Sequence, residues 1–384
     1  MFEANSVMET VSINQLTLKN RVVVAPMTRV STRGDGVPTE LMNQYYRRYA
    51  EGNFGLIITE GTYTDRVFSQ AYPNQPGMTN EQQQKGWERI VRSTHAAGGK
   101  IVMQLMHAGA LSQHLSNTRS ASAVQPMRNM LEGYSKKQGR FPLPQAMHLS
   151  EIDDVIQGFV DAALRAEAAG FDGVEVHAAN GYLLDQFLTD YTNNREDQYG
   201  GPVENRVRLT AEIVAAIQTA VTSNFVVGVR ISQGKVNDFD YLWPNGIQDG
   251  EVIFESLKNA GADYLHFASE GKGFDHGCLT REGESLPKLA REMTGLPVIA
   301  NGGLDNSSEA GRILEQGHAD LIALGTGALA NPDWPIRFET GETILPFDPD
   351  LFSLGVTIEA QFEWEEQQQT IQWSAKAEEQ CAVV

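Results

Sequence analysis

The sequence predicts one (β/α)8 TIM barrel, an α/β fold in which eight parallel strands alternate with eight helices. Two observations lead to this prediction. Short and almost continuously apolar runs recur eight times along the chain of 384 residues, and stretches with the periodicity of amphipathic helices separate them. Strands that are apolar on both faces are typical of a parallel sheet covered by helices. Eight such units close most economically into a barrel, and a doubly wound sheet of eight strands is the weaker alternative.

The predicted strands are short and rich in Val, Ile and Leu, as buried parallel strands are. Between the third and fourth of them, Ser150 and Asp153 form a predicted capping box at the start of a helix, and Gly170 is placed to end it. In chain order the predicted strands are 21–28, 55–61, 100–109, 173–179, 225–232, 262–270, 296–303 and 319–326.

Two segments exceed the minimal barrel, which we assign to residues 1–340. Residues 110–149 follow the third strand, are rich in Ser, Gln, Asn, Met and Pro, and lack a clear period. A loop of this length at the C-terminal end of a barrel strand is more often functional than idle, so we predict a lid over the site. Residues 341–384 form a tail in which EWEEQQQTIQW is predicted to be helical. The sequence leaves open whether this tail packs on the barrel or on a neighbouring subunit.

Composition excludes several classes of partner. The formal net charge is −19, from 30 basic and 49 acidic residues, so nucleic acid and anionic membrane surfaces are not expected to bind. No apolar run is long enough to cross a bilayer, and the N-terminal segment MFEANSVMET lacks the features of a secretory signal. Cys278 and Cys381 are far apart, which favours a reducing compartment and argues against zinc–thiolate or iron–sulfur sites. We therefore expect a cytoplasmic protein, a monomer or a homodimer, that acts on a small molecule.

Polar side chains end several predicted strands on their inward face. Because side chains alternate between the two faces of a strand, the two valines of VEVH (174–177) face the helices and His177 points into the barrel. The same alternation places Thr28, Gln104 and Arg230 inside, at the ends of the first, third and fifth strands. Barrel enzymes have their active sites at this end of the strands, so these four residues are candidate site residues.

Each of these four side chains, taken singly, has an ordinary structural explanation. Arg230, for example, could form a buried ion pair with Glu175 on the neighbouring strand. Burying a hydroxyl, an amide and a guanidinium together without partners, however, would cost several kcal/mol. A flat polar ligand across the mouth of the barrel would satisfy all of them, and we predict such a ligand there.

Glycines follow the last two predicted strands. Gly302 and Gly303 end the seventh strand, and Gly325 and Thr326 end the eighth. Exposed backbone N–H groups at these two strand ends commonly hold a phosphate in TIM barrels. A phosphate here, together with a flat polar group over strands 1 to 5, predicts a mononucleotide cofactor. The segment GTGALA also fits the dinucleotide pattern G-x-G-x-x-A, but NPDWP interrupts the helix that a Rossmann fold needs.

Beyond these local patterns, the chain resembles the Old Yellow Enzyme family of FMN-dependent ene-reductases over residues 10–340. The motifs, in order, are LKNRVVVAPMTR (18–29), TEGT (59–62), QLMHAGA (104–110), AGFDGVEVHAANGYLLDQFL (169–188), NNREDQYGGPVENRVR (193–208), VGVRIS (227–232) and NPDW (331–334). The resemblance implies a (β/α)8 barrel that binds FMN and takes hydride from NAD(P)H. It also implies reduction of the activated C=C bond of α,β-unsaturated carbonyl or nitro compounds.

The resemblance implies a set of cofactor contacts. Thr28 would lie near the O4 carbonyl of the isoalloxazine ring, and Gln104 and Arg230 would lie at its pyrimidine edge, where the reduced ring is negative. At Thr326 most family members have an arginine that contacts the phosphate, so this chain departs from the pattern. The residues implied to bind the ring are Pro26, Thr28, Gly61, Gln104 and Arg230, and those implied to bind the phosphate are Gly302, Gly303, Gly325 and Thr326.

The segment HAANGY, residues 177–182, is implied to hold the catalytic groups. His177 and Asn180 would donate hydrogen bonds to the carbonyl oxygen of an enone, on which negative charge builds as hydride reaches the β-carbon. Tyr182 would then protonate the α-carbon as general acid. NAD(P)H would supply the first hydride in the same pocket, so no separate dinucleotide fold is needed. Tyr72, in QAYPNQPGM, would help to line the substrate pocket.

Two other functions stay open at this point. His107, His177 and His266 all lie near predicted strand ends and could form the three-histidine site of a metal-dependent barrel hydrolase or isomerase. The first strand, however, ends in APMT, without the paired histidines that many such barrels have there. The other alternative is a flavin-dependent NAD(P)H oxidase or redox partner without ene-reductase activity. On the FMN interpretation no residue is assigned as a metal ligand.

Overall fold

The computed structural model of the chain describes residues 5–269 and 272–382, with side chains in residues 6–269 and 272–370. Residue 270 at the end of the sixth predicted strand, the last residues of the predicted tail and the side chain of Cys381 lie outside the described residues. Within them, no helix is both long and apolar enough to cross a membrane.

Eight strands form a closed barrel in which every neighbouring pair is parallel. They are β1 (Val22–Val24), β2 (Leu56–Ile58), β3 (Ile101–Met106), β4 (Gly173–Asn180), β5 (Val226–Lys235), β6 (Tyr264–Phe267), β7 (Val298–Asn301) and β8 (Leu321–Leu324). Each strand pairs with the next along the chain, and Leu324 pairs with Val24 to join β8 to β1. The predicted (β/α)8 barrel is therefore confirmed.

Strands β4 and β5 are the longest of the barrel and extend together beyond its rim. Their register is regular up to Ile231 and Ala178, then shifts so that Asn180 pairs with Lys235. An irregularity of this kind bends a strand and changes the direction of its side chains. The end of β4, which holds the HAANGY segment, is thus supported by the bulged end of β5.

A helix follows each strand and covers the outside of the barrel. The eight helices are α1 (Glu40–Glu51), α2 (Glu81–Ala96), α3 (Leu149–Ala168), α4 (Arg208–Ala220), α5 (Ile247–Asn259), α6 (Leu286–Thr294), α7 (Ser307–Glu315) and α8 (Trp334–Thr340). Additional short helices are Asn5–Met8, Leu183–Leu188, Val203–Arg206, Phe274–Gly277 and Thr326–Ala330, and 3-10 turns are Gly109–Leu111, Asp190–Thr192 and Pro349–Phe352.

Helix α3 starts earlier than the sequence predicts. The Glu151 carboxylate accepts a hydrogen bond from the backbone N–H of His148 at 2.9 Å, so the capping interaction lies before the first residue of the helix. The predicted capping box of Ser150 and Asp153 is wrong, because both residues are already inside the helix. Gly170 follows the last turn with a φ of +89°, a conformation that glycine adopts without strain, and it ends the helix as predicted.

Two apolar layers stabilise the barrel. Outward side chains such as Val174 and Val176 pack against the helices in one large cluster. A smaller cluster fills the barrel interior, and it includes Ile13 and Leu18 of the antiparallel hairpin formed by Val11–Ile13 and Leu16–Leu18. The hairpin therefore closes the N-terminal end of the barrel, which leaves the opposite end for a ligand.

The predicted lid, residues 110–149, contains little regular structure. Its strands are Arg119–Ser120 and Gln145–Ala146, which pair with each other. Outside the lid, the short strand Thr62–Tyr63 pairs with β3. The side chain of Gln113 accepts from the backbone N–H of Leu131 at 2.7 Å and donates to its carbonyl at 2.9 Å. Such bonds between side chains and backbone give the segment a defined path across the C-terminal end of the barrel.

The described part of the tail continues into a long helix, Ile358–Ala382, whose first turns lie beside α1. Arg48 of α1 forms an ion pair with Glu365 at 3.1 Å, and its guanidinium lies 5.4 Å from the ring centre of Phe362. Arg29, in the segment that follows β1, donates a hydrogen bond to the carbonyl of Thr357 at 3.1 Å. These contacts join the beginning of the tail helix to the barrel.

Candidate active site

A cavity of about 590 Å³ opens at the C-terminal end of the barrel. Thr28, Gln104, His177 and Arg230, which strand alternation alone predicts to point inward, all line it. The other predicted site residues that line it are Pro26, Tyr72, Asn180, Tyr182, Gly302, Gly303, Gly325 and Thr326.

Gly61 is the predicted site residue that does not line this cavity. A Cβ built on Gly61 would lie 2.4 Å from Sδ of Met106 and 3.4 Å from Oε1 of Gln104. Its carbonyl accepts a hydrogen bond from the Gln75 side chain at 2.7 Å. Gly61 therefore allows β2 to pack closely behind Gln104 and Met106, both of which line the cavity.

Glu175 forms a buried polar network beneath the cavity. Its Oε1 accepts a hydrogen bond from Gln104 at 2.8 Å, and its Oε2 lies 3.1 Å from the Tyr264 hydroxyl and 2.8 Å from Nδ1 of His266. Burial raises the pKa of Glu175, but His266, Arg230 and Gln104 outweigh that effect and hold it below its ordinary value. The network keeps the Gln104 side chain in a single orientation at the cavity floor.

Arg230 is not bonded to Glu175, contrary to the structural alternative considered for it. Its Nε is buried and has no hydrogen-bond partner among the described residues, and the residue is only 6% exposed. Because a buried nitrogen without a hydrogen-bond partner is costly, the Nε of Arg230 fits a site in which a ligand accepts a hydrogen bond from it.

The turn at the end of β4 has an unusual backbone. Asn180 has a φ of +66° and Gly181 a φ of +84°, so two consecutive residues are in the left-handed region. The N–H of Asn180 donates to Oγ of Ser232 at 2.8 Å, and the N–H of Gly181 donates to the Asp185 carboxylate at 2.6 Å. This turn directs His177, Asn180 and Tyr182 into one cavity.

His177 is electrically neutral in this environment. Burial is the main cause that lowers its pKa to about 3, and the positive charge of Arg230 adds to the effect. Its Nδ1 is buried without a hydrogen-bond partner among the residues described. A neutral imidazole can donate one hydrogen bond to a ligand oxygen without competing as a proton source.

Tyr182 and Tyr72 meet at the cavity wall. Their hydroxyl oxygens are 2.9 Å apart, and the Tyr182 ring centre lies 5.2 Å from that of His177. Tyr134 of the lid packs on Tyr72 with ring centres 5.1 Å apart. The three tyrosines, which are distant in sequence, thus form one side of the cavity.

The glycine-rich strand ends form the opposite part of the lining. Gly302 has a φ of +123°, and a Cβ on it would lie 2.6 Å from the backbone nitrogen of Phe274, so only glycine fits. A Cβ on Gly303 would meet no atom within 4 Å, which leaves open space over its backbone. The helix Thr326–Ala330 has only five residues, consistent with the expectation that NPDWP prevents a dinucleotide-binding helix. This lining fits a small anionic group such as a phosphate.

Backbone N–H groups and the Thr326 hydroxyl are the donors that the glycine-rich end of the described lining offers to a phosphate. Among the residues that the structure describes, the charged ones that line the cavity are Arg29, Arg230 and Asp305. The Arg29 guanidinium is directed to the tail, and Arg230 belongs to β5, so neither stands among the glycine-rich strand ends. Asp305 lies two residues after Gly303 and contributes a carboxylate. It packs directly against Gly327, since a Cβ added to Gly327 would lie only 2.2 Å from Cβ of Asp305.

Several residues that line the cavity were not predicted from the sequence. Asp305 could have been found, because it lies two positions after Gly303. The others include apolar residues of the lid, of the loop after β5 and of the tail, which no local pattern in the sequence indicates. They include Leu131, Tyr134, Phe239 and Phe352.

The alternative of a three-histidine metal site has no support in the geometry. His266 faces Glu175 inside the barrel, and Nδ1 of His107 accepts a hydrogen bond from the N–H of Gly109 at 3.1 Å. Among the residues that the structure describes, no group of three or more His, Cys, Asp or Glu side chains is placed to share a metal ion.

Sequence comparison relates the chain to flavin oxidoreductases. The model of the NADH:flavin oxidoreductase / NADH oxidase family matches residues 6–343. The chain is 34% identical over 357 residues to a putative 12-oxophytodienoate reductase 2 of Oryza sativa subsp. japonica, with 91% of each protein covered. It is 31% identical over 340 residues to an NADH oxidase of Thermoanaerobacter brockii; 86% of the chain is covered, and it spans half the length of that relative.

Solved structures give the same relation. A morphinone reductase in complex with tetrahydroNAD superposes with a TM-score of 0.79 at 32% identity, covering 90% of this chain and 93% of the other. An Old Yellow Enzyme homologue from Zymomonas mobilis superposes with a TM-score of 0.80 at 30% identity, covering 90% and 95%. The overall fold of the chain is therefore similar to the folds of these two proteins.

Proposed function

The chain belongs to the Old Yellow Enzyme family of FMN-dependent oxidoreductases, and we propose that it takes hydride from NAD(P)H and reduces the activated C=C bond of α,β-unsaturated carbonyl or nitro compounds. One observation above all supports this activity. His177, Asn180 and Tyr182 line the same cavity as Arg230, whose buried Nε has no partner among the described residues. Hydrogen-bond donors and a phenol thus face a site suited to an electron-rich ring.

The residues present fit FMN, which when bound would accept hydride from the nicotinamide and pass it to the substrate. Gln104 and Arg230 would hold the pyrimidine edge of the ring, and the cation of Arg230 would favour the negative charge of the reduced form. Pro26 and Thr28 would contact the ring from the end of β1. Gly61 would act indirectly, through its packing against Gln104. The phosphate would lie at Gly302, Gly303, Gly325 and Thr326.

His177 and Asn180 would bind the carbonyl oxygen of the substrate. Negative charge develops on this oxygen in the transition state, and a preorganised donor stabilises it there more than in the ground state. Loss of one such donor typically costs about 10²–10³-fold in rate. Because His177 is neutral, it would act as a donor and not as an acid.

Tyr182 would donate the proton to the α-carbon of the substrate. Its hydroxyl lies 2.9 Å from that of Tyr72, so a second phenol can accept or donate a hydrogen bond as the charge on Tyr182 changes. Tyr72 would also line the substrate pocket, as proposed from the sequence. General acids of this kind contribute about 10²–10⁴-fold to the rate.

We propose that NAD(P)H binds in the same cavity before the substrate does. The similarity to a morphinone reductase in complex with tetrahydroNAD supports this, because that protein binds tetrahydroNAD on the same fold. The family includes proteins named for NADH, and the residues that line the cavity do not distinguish NADH from NADPH. Both are therefore used in the test.

The decisive experiment is an absorbance titration under argon of protein reconstituted with FMN. Addition of NADPH, or of NADH in a parallel sample, is expected to bleach the flavin spectrum. Addition of cyclohexenone should then restore it with formation of cyclohexanone. Protein that binds no FMN would contradict the cofactor assignment, and reduced protein that cyclohexenone leaves bleached would contradict the ene-reductase assignment.

A second candidate is an NAD(P)H oxidase or a redox partner that does not reduce alkenes. The similarity to the NADH oxidase of Thermoanaerobacter brockii favours it. The same titration separates the two activities, because an oxidase would be reoxidised by air but not by cyclohexenone or maleimide.

The remaining expectations from the sequence stay predictions. The scarcity of cysteine supports a cytoplasmic location. A monomer and a homodimer are both compatible with a helical tail, and sedimentation would distinguish them. The division into a barrel of residues 1–340, with its lid 110–149, and a tail of residues 341–384 can be tested by limited proteolysis at the proposed boundaries.

A further inference from the structure

A buried ion pair lies directly behind the turn that holds the proposed catalytic residues. Nζ of Lys235 is 2.7 Å from Oδ1 of Asp185, and the two side chains are 2% and 0% exposed. Neither residue lines the main cavity. The pair therefore has no role assigned by contact with a cofactor or a substrate.

Asp185 connects the pair to the turn. Its Oδ2 accepts a hydrogen bond from the N–H of Gly181 at 2.6 Å, and its Oδ1 accepts one from Thr189 at 3.3 Å. Gly181 lies between Asn180 and Tyr182 in the chain. The hydrogen bond of its N–H group therefore helps to set the backbone path that orients both neighbouring side chains. A change at Asp185 would move the two together.

Lys235 connects the pair to the bulged end of β5. It is the residue that pairs with Asn180 after the register shift, and its ammonium group also lies 3.4 Å from the carbonyl of Ser232. Oγ of Ser232 in turn accepts the N–H of Asn180 at 2.8 Å. The pair and its neighbours thus tie the left-handed turn to β5 from two sides.

The ion pair is costly to bury and is a weak source of stability. Burial raises the pKa of Asp185 and lowers that of Lys235, in each case against the effect of the partner. Buried pairs are often no better for stability than apolar side chains of the same volume. The turn they support, however, contains Asn180 with a φ of +66°, a conformation that persists only when its surroundings hold it.

We propose that Lys235 and Asp185 are positioning residues that hold Asn180 and Tyr182 in the orientation needed for substrate reduction, without contacting the substrate. This inference rests on the proposed function, in which those two residues bind the carbonyl oxygen and supply the proton. Misplacement of reacting groups by about 1 Å can reduce a rate about 100-fold, so a pair that acts only through the turn can still control the reaction.

The test compares Lys235→Met, Asp185→Asn and the double variant, each reconstituted with FMN. Each single variant is expected to bind FMN with the affinity of the unmodified protein, because neither residue lines the cavity. Reoxidation of the reduced protein by cyclohexenone should slow at least about tenfold, through its limiting rate and not only through substrate affinity. The double variant should recover part of this loss, because it leaves no unpaired buried charge.

Asp172→Asn is the matched control, because Asp172 precedes β4 at the opposite end of the barrel. Its carboxylate is largely buried, accepts the N–H of Ile101 at 2.8 Å and is paired with Lys100 at 3.2 Å. The control is expected to lower the melting temperature but to leave reoxidation by cyclohexenone unchanged. Single variants that are destabilised like the control yet react at the normal rate would overturn the proposal.

A second readout keeps the inference separate from the ene-reductase assignment. Binding of tetrahydroNAD can be monitored through the change in the flavin spectrum. It reports on the turn because Asn180 and Tyr182 line the cavity in which the nicotinamide is proposed to bind. This readout works even if cyclohexenone does not reoxidise the unmodified protein. The single variants should bind it at least about fivefold more weakly, and equal affinity in all proteins would overturn the proposal. If a single variant does not fold, the double variant decides: the inference requires it to react more slowly than the unmodified protein.

Discussion

The hydroxyl oxygens of Tyr72 and Tyr182 lie 2.9 Å apart in the wall of the cavity, although 110 residues separate them along the chain. Both rings are almost completely buried. A phenol that releases a proton in such a place needs a hydrogen-bond donor to stabilise the negative oxygen, and Tyr72 can supply it. Tyr182 would thus act as the acid and Tyr72 as its hydrogen-bond partner, and substitution of each tyrosine can separate the two roles.

Tyr182→Phe is expected to leave flavin reduction by NAD(P)H normal and to slow enone reduction about 10²–10⁴-fold, because the general acid is lost. Tyr72→Phe should slow the same step only about 3- to 10-fold, the value of one hydrogen bond. Stopped-flow absorbance measures the two half-reactions separately. Enone reduction at the normal rate by Tyr182→Phe would remove Tyr182 from the role of acid.

The neutral state of His177 predicts a dependence of stability on pH. Its pKa is about 3 in the folded protein against an ordinary value of 6.5, so between these values the unfolded chain binds the proton and the folded protein does not. The stability contributed by His177 is therefore present above pH 6.5 and is lost as the pH falls toward 3.

His177→Gln should accordingly lose less stability than the unmodified protein when the pH falls from 7 to 4. Urea denaturation at both pH values measures the difference, with His148→Gln as a control for an exposed histidine. An equal loss of stability in His177→Gln and the unmodified protein would mean that the imidazole is not buried in its neutral form.

Thr326→Arg is expected to tighten the binding of FMN. Thr326 is exposed at the glycine-rich end of the cavity, so an arginine has room there and would offer a charged contact to the phosphate. Riboflavin, which lacks the phosphate, should bind to both proteins equally. Quenching of flavin fluorescence gives the dissociation constants.

The comparison with riboflavin makes the placement of the phosphate testable. A gain in affinity of about 10-fold for FMN alone is expected from one additional charge-assisted hydrogen bond. A gain of the same size for riboflavin would show that the arginine acts on the ring or on the fold, and an unchanged FMN affinity would place the phosphate elsewhere.

Glu60 predicts the opposite dependence of stability on pH. Burial raises its pKa to about 7 from an ordinary 4.5, even though it accepts the backbone N–H groups of Arg29 and Val30 at 2.9 Å each. Because the folded pKa is raised, the stability that Glu60 contributes is fully present below pH 4.5 and is lost as the pH rises through 7.

Glu60→Gln keeps an oxygen for the two N–H groups but no charge. Relative to the unmodified protein it should therefore become more stable on going from pH 5 to pH 8, by up to an amount on the order of 3 kcal/mol. Thermal denaturation at the two pH values measures this, with the exposed Glu88→Gln as control. A variant whose disadvantage grows toward pH 8 would contradict the prediction.

Much of the site could be predicted because its signals are local. The alternation of side chains along a strand is a property of the backbone, so the inward direction of Gln104, His177 and Arg230 follows from the sequence of each strand alone. The glycines after β7 and β8 are recognisable for the same reason. The helix boundary at Ser150 was predicted wrongly, because the cap at His148 and Glu151 offers a competing local pattern.

The partners of these residues could not be predicted. Nothing in the sequence near Tyr182 indicates Tyr72, and nothing near Asp185 indicates Lys235, because each contact joins elements that are distant along the chain. The Arg230–Glu175 pair is the reverse case: it was plausible from neighbouring strands, but Gln104, Tyr264 and His266 occupy the carboxylate instead.

The sequence by itself thus determined the barrel, the end of it that holds the site and the inward residues of its strands, since periodicity and strand alternation depend on neighbouring residues. The tertiary structure alone decided which buried groups are satisfied and which are not. It left the buried Nε of Arg230 and Nδ1 of His177 without partners among the described residues, and it put Lys235 behind the turn at Asn180. Hydrogen bonds between distant segments form only when the whole barrel closes, so no local sequence pattern indicates them.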